Sequence, residues 1–189
     1  MWKNNISNFI KSILAGSAIG IGAMIFLSLG GVAGAVGFTI GLYLVLWFGL
    51  NLYTGKVGYA TTKPMDWINL GIMLIGNAIG CLIMLLIFTN PVAQTLILTK
   101  LAISPLITFI KAIICGVLIY AAVDQYKRGR EYAPIIAVPA FILCGAEHCV
   151  ADICFFIAAG LPLFEFIPFI SIVVIGNSIG SLLFKYATS

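Results

Sequence analysis

The sequence predicts an all-α membrane protein: six transmembrane helices in two halves of three, with the second half inverted and the second and fifth helices broken. Composition is the first observation. Hydrophobic residues are 62% and charged residues 8% of 189, whereas a soluble domain carries about 25% charged residues. So little polar surface cannot cover a globule in water, and the bilayer must be the solvent. The second observation is that the chain offers six runs near the length of about 20 apolar residues that a span needs. They are Phe9 to Leu29, Ala33 to Leu52, Trp67 to Phe88, Leu106 to Val123, Ala133 to Gly160 and Phe164 to Phe184. The third is an internal echo between the halves.

Met1 to Asn8 is too polar, and the run after it too long, for a cleaved secretory signal, so this stretch is read as the entry to the first span. In that span Lys11-Ser12-Ile13-Leu14-Ala15-Gly16 is echoed by Lys111-Ala112-Ile113-Ile114-Cys115-Gly116 of the fourth. The second span runs apolar from Phe38 to Leu50 and then meets Asn51-Leu52-Tyr53-Thr54-Gly55-Lys56-Val57-Gly58, which disfavours a continuous helix. Ile75-Gly76-Asn77-Ala78-Ile79-Gly80 in the third span returns as Ile175-Gly176-Asn177-Ser178-Ile179-Gly180 in the sixth. The Gly-x-x-x-Gly spacing lets helix backbones approach closely, and Asn77 and Asn177 are expected to bond across helices. In the fifth span Pro139 and Gly145 interrupt the helix before Glu147-His148.

Three spans separate the copies, so the second half enters from the opposite side and a site is expected near the midplane between halves. Short joints leave one domain, residues 1–189, with halves of about 1–100 and 101–189. Irregular backbone at membrane depth must be buried or line a water-filled cavity. Two such breaks facing one another imply a pore with Thr54 and His148 at its waist.

Charge sets the orientation. Lys3, Lys11, Lys56, Lys63, Lys127, Arg128, Arg130 and Lys185 fall on one side of a six-span chain, which the positive-inside rule assigns to the cytoplasm together with both termini. Lys100 and Lys111 are exceptions. A formal charge of +4 needs only anionic lipid headgroups as partner, and nothing supports nucleic-acid binding. The five cysteines form no Cys-x-x-Cys pair and resemble small hydrophobes. Cys144 and His148 have ligand spacing, but there is no second histidine, so no metal and no cofactor are expected.

The only histidine lies in Cys144-Gly145-Ala146-Glu147-His148-Cys149-Val150-Ala151-Asp152, between apolar flanks. An ionisable residue in lipid costs about 2.5 to 3.5 kcal/mol on insertion scales unless it faces water or a partner, so the cluster reads as functional. Glu147 is expected to turn away and bond loop backbone, because adjacent helical residues point in different directions.

Phe38-x-x-x-Leu42, Leu52-Tyr53-Thr54-Gly55, Lys100-Leu101, Gly145-x-Glu147-His148 and the two Gly-Asn-x-x-Gly elements together resemble the formate/nitrite transporter family over nearly the whole chain. That family includes formate, nitrite and hydrosulfide channels. The resemblance implies an aquaporin-like fold and a homopentamer in the cell inner membrane, each subunit with its own pore. It makes His148 the central pore histidine, Thr54 its partner or the anion's, and Lys100 the vestibule lysine. Phe38, Leu42, Leu52, Tyr53 and Phe141 become apolar constrictions, with the Tyr53 hydroxyl reaching water. Lys56 is expected to mark the lipid interface. Three residues depart from the family pattern: Asp152 and Gly116 stand where asparagine is common, and Asn51 where an acidic or small residue is usual. Asp152, one turn from His148, is expected to act on it by proximity. The Asn-Leu-Tyr-Thr-Gly-Lys wording and the short chain lean towards the hydrosulfide branch.

An unpaired anion crossing a dry ring would face a Born cost of order 20 kcal/mol. Protonating a carboxylate of pKa about 4 at neutral pH costs about 4 kcal/mol, so neutralisation wins. The expected function is a channel for small monovalent anions of weak acids, formate, nitrite or hydrosulfide, in which Lys100 attracts the anion and His148, bonded to Thr54, donates or orients a proton at the apolar constrictions. A rival mechanism keeps the histidine neutral as a hydrogen-bond donor to an intact anion, with water filling the slit. A pore for water or glycerol is the alternative and needs neither His148 nor Lys100. An intramembrane enzyme lacks a nucleophile and base at workable spacing.

Overall fold

The computed structural model describes residues 5–86 and 88–188; Lys3, counted above among the basic residues, lies outside them. The helices are α1 Asn5–Leu29, α2 Gly31–Trp47, α3 Tyr53–Lys56, α4 Pro64–Leu85, α5 Pro91–Leu101, α6 Pro105–Lys127, α7 Ala133–Leu143, α8 Cys149–Ala159 and α9 Leu163–Thr188, with a 3-10 turn at Val57–Tyr59 after α3. Among the described residues there is no strand.

Four helices, α1, α4, α6 and α9, are long and apolar enough to cross a membrane. The shortest of them, α4, has 22 residues, which is about 33 Å at 1.5 Å per residue and matches a hydrocarbon core of about 30 Å. Polarity is distributed as a bilayer demands. Ile6, Ile83, Leu106, Ile136 and Leu183 point outward, while Asn77, Asn177, Thr54, Glu147, His148 and Asp152 are buried.

α1 packs on α4 and α6 on α9 through glycine, at matching positions in the two halves. A Cβ added to Gly80 would lie 1.9 Å from the Ile13 carbonyl oxygen, and one added to Gly180 would lie 2.1 Å from that of Ile113. Gly76 and Gly176 likewise receive Ser12 and Ala112, where an added Cβ would come within 2.6 and 2.5 Å. Only glycine allows this approach.

Between α2 and α3 the chain leaves helical geometry at Phe48–Leu52, turning at Gly49 with φ 58°. Between α7 and α8 it does so at Cys144–His148, turning at Gly145 with φ 69°. These left-handed turns are open to glycine at little cost. Asn77 and Asn177 then satisfy the backbone groups that the breaks release. Asn77 accepts from the Tyr53 N–H (2.9 Å) and donates to the carbonyls of Asn51 (2.9 Å) and Ser12 (2.7 Å). Asn177 accepts from the Cys149 N–H (2.9 Å) and donates to those of Glu147 (2.7 Å) and Ala112 (2.9 Å). The expected cross-helix bonds are therefore present, and each amide also caps a half-helix.

One element differs from the sequence reading. Residues 89–105 read as a joint, yet Pro91–Leu101 is a helix packed against α8. Asn90 caps it, its side chain accepting from the Val92 N–H at 2.8 Å, with Pro91 at the first helical position.

Candidate functional site

His148 is the residue immediately before α8, in extended geometry (φ −112°, ψ 113°) and 2% exposed. Its Nδ1 accepts the Ala151 N–H at 3.0 Å, and its Nε2 lies 2.9 Å from Thr54 Oγ1, on α3. A nitrogen that accepts an amide proton keeps its lone pair, so the neutral ring carries its proton on Nε2. Nε2–H then donates to Thr54, which leaves the threonine hydroxyl proton free to donate onward. The Thr54–His148 bond thus joins the two broken segments.

Phe141 stacks on the imidazole, with centroids 5.5 Å apart and planes at 24°. Phe38 meets Phe141 edge-on at 6.0 Å. Phe38, Leu42 and Leu52 are each at most 2% exposed. A cavity of about 200 Å³ lies against His148 and Phe141 and is lined by Lys100, Lys111, Glu147 and Asp152. A second, of about 100 Å³, lies against Leu52 and Gly55 and is lined by Lys56, Tyr126 and Lys127. Thr54 sits between the residues that face the two cavities.

Lys100, on α5, pairs with the carboxylates of both Glu147 and Asp152, the second at 3.0 Å. Four expectations change here. Glu147 does not turn away: its backbone spends the N–H on the Lys111 carbonyl (3.4 Å), and its carboxylate faces the cavity beside His148. Asp152 directs its side chain at Lys100, touching His148 through its own N–H on the histidine carbonyl at 2.8 Å. The Tyr53 hydroxyl does not reach water but bonds Ser178 on α9 at 2.7 Å, both residues being buried. Lys56 lines a cavity. Lys111, noted in the sequence only as a basic residue on the unexpected side, shares the first cavity. Its place outside the positive-inside pattern was the signal. The Cys144 thiol donates to the Phe141 carbonyl at 3.4 Å.

The model of the family described as Formate/nitrite transporter matches residues 3–188. The chain belongs to that family. Among its relatives, the nitrite transporter NirC of Escherichia coli (strain K12) is 24% identical over 184 residues, covering 81% of this chain and 68% of the relative. NirC of Salmonella typhimurium strain LT2 is 25% identical over the same shares. A solved structure described as an FNT family ion channel superposes with a TM-score of 0.81 at 20% identity, covering 98% of this chain and 88% of the other. One described as a pentameric formate channel with formate bound gives 0.78 at 20% identity, covering 97% and 94%. Members of the formate/nitrite transporter family are transport proteins, not enzymes, and the apolar helices make this one an integral membrane protein.

Proposed function

We propose that the chain is a channel for small monovalent anions of weak acids, formate, nitrite and hydrosulfide being the class, and that each anion crosses the apolar stretch carrying a proton. The observation that carries this reading is the buried Thr54–His148 bond between two lysine-lined cavities. Lys56 and Lys127 favour an anion in one cavity, and in the other Lys100 and Lys111 offset the carboxylates of Glu147 and Asp152 that line it with them. Between them stand Phe141, Phe38, Leu42 and Leu52, where an unpaired charge meets a penalty of order 20 kcal/mol in the idealised limit. Picking up a proton costs an anion of pKa about 4 only about 4 kcal/mol at neutral pH. The neutral His148 ring holds Thr54 so that its hydroxyl points a donor at the solute in transit, compensating the hydration it sheds.

In this reading the chain is one domain of six spans, an aquaporin-like pair of inverted halves of about 1–100 and 101–189. α2 with α3 forms the broken second span, and α7 with α8 the broken fifth. The matching bonds of Asn77 and Asn177 support that correspondence. The pentameric formate channel supports a homopentamer with one pore per subunit, and the basic residues support an inner-membrane placement with both termini cytoplasmic.

Stopped-flow flux into proteoliposomes tests the proposal. Formate, nitrite or sulfide should pass at a rate that rises with acidity, and His148→Ala should lose at least tenfold, about 1.4 kcal/mol. Glycerol passing equally well through wild type and variant, with no weak-acid flux above empty vesicles, would contradict it.

A further inference from the structure

Lys100 has more negative charge around it than it can balance. Glu147 and Asp152 both reach its ammonium, and their side chains are 1% exposed against 12% for the lysine. If every group were ionised, this ion-paired trio would hold two anions and one cation in a buried place. Leaving one charge unpaired at such depth is costly, and a carboxylate site escapes the cost by keeping a proton. The geometry shows where that proton fits. Asp152 spends Oδ1 on Lys100, while its Oδ2 is buried without a hydrogen-bond partner.

The surrounding groups do not remove the need. From α5 the facing charge is Lys100 alone; from the break come Glu147 and the neutral His148; from α6 come Lys111, which lines the cavity but forms no ion pair with Asp152, and the buried thiol of Cys115. On α8 itself Cys149 and Cys154 are buried thiols. Lys111 is thus a second cation on the cavity wall, but among the described ion pairs only Lys100 reaches the two carboxylates.

We propose that Asp152 is a resident proton-binding site of the Lys100 cavity, holding one proton on its unpartnered Oδ2 and handing it to the anion that arrives beside His148. The hand-over balances: the O–H bond on Asp152 breaks, the anion gains that proton and becomes the neutral acid, and the aspartate takes a replacement proton from the bulk solvent on the side of entry, which therefore loses one proton with each anion. In the loaded state Lys100 and Glu147 form a neutral pair, so an anion meets no net negative charge. The hand-over rests on the transport reading above, whereas the proton site does not. It also supplies what the histidine lacks, because an imidazole whose Nδ1 already accepts an amide proton holds only the proton it needs for Thr54.

Infrared spectroscopy of the intact protein in lipid vesicles at neutral pH reads the site directly. The expected result is one carbonyl stretch of a protonated carboxylic acid, lost in Asp152→Asn and lost equally in Glu147→Gln. In either variant the single remaining carboxylate is matched by Lys100 and ionises. Asp124→Asn, at a carboxylate paired with Arg128 at 2.7 Å, should leave the band in place. Should either cavity variant fail to fold, heavy-carbon labelling of aspartate in wild type must shift the band and labelling of glutamate must not. Absence of the band from wild type, or its survival in Glu147→Gln, would overturn the proposal. Flux without the band likewise overturns the proton site and leaves the transport reading standing; the band without flux supports the site and overturns the transport reading.

Discussion

Thr54 and His148 depend on each other through a single buried bond of 2.9 Å. Thr54→Val keeps the shape but removes the acceptor of Nε2–H, leaving a buried donor unpaired at a cost of about 1–3 kcal/mol. Weak-acid flux should fall by about tenfold or more and be recovered by Thr54→Ser, measured by stopped-flow; equal rates in all three would contradict the role given to the hydroxyl. This pair was legible in the sequence, because a lone histidine and a threonine at a helix break stand out where everything around them is apolar. The orientation of Glu147 was not. Helical geometry argued for opposite faces, but Glu147 and His148 lie in a non-helical turn, where that periodicity does not apply. The Tyr53 hydroxyl was hidden for a different reason: its partner Ser178 is 125 residues away and belongs to another helix.

At the scale of elements, the breaks would be untenable without the two asparagines. Asn177→Ala strips three hydrogen bonds from buried backbone groups of α6, α8 and the Glu147 turn, a loss on the order of 3 kcal/mol. Thermal unfolding in detergent should shift down by several degrees, and Asn77→Ala should behave alike; an unchanged midpoint in both would contradict the capping role. Gly180→Ala should be at least as damaging, since its methyl would lie 2.1 Å from the Ile113 carbonyl oxygen. Glycine and asparagine announced these breaks because each has a specific backbone consequence, whereas Pro139, expected to interrupt the fifth span, lies inside α7, which runs on to Leu143 before the turn at Gly145. The helix α5 went unread although Asn90-Pro91 is a recognisable start, because its sequence lacks the long apolar run by which the other helices were found. Asn90→Ala should cost α5 about 1 kcal/mol, seen as faster amide exchange over α5, and it also removes the bond from the Asn90 amide to the Leu27 carbonyl at the end of α1.

For the whole molecule, the bilayer placement follows from composition, since no arrangement of this chain could hide its outward-facing isoleucines and leucines from water. Oligomeric state is another matter: periodicity and charge were silent on it, and the pentamer enters through resemblance. Native mass spectrometry of detergent-solubilised protein should give a five-subunit complex, and a monomer would remove that part of the account. The two halves carry the same glycine contacts and the same asparagine bonds, yet Lys100, Glu147, Asp152 and His148 cluster on only one side. The scaffold repeats while the charged cluster does not.

The most direct test is the ratio of protons to anions carried. Proteoliposomes holding a pH-sensitive dye, given a gradient of labelled formate or sulfide, should take up one proton with each anion and respond little to an imposed membrane potential. Anion entry driven by that potential, with no internal acidification, would show that charge crosses bare and would contradict the account.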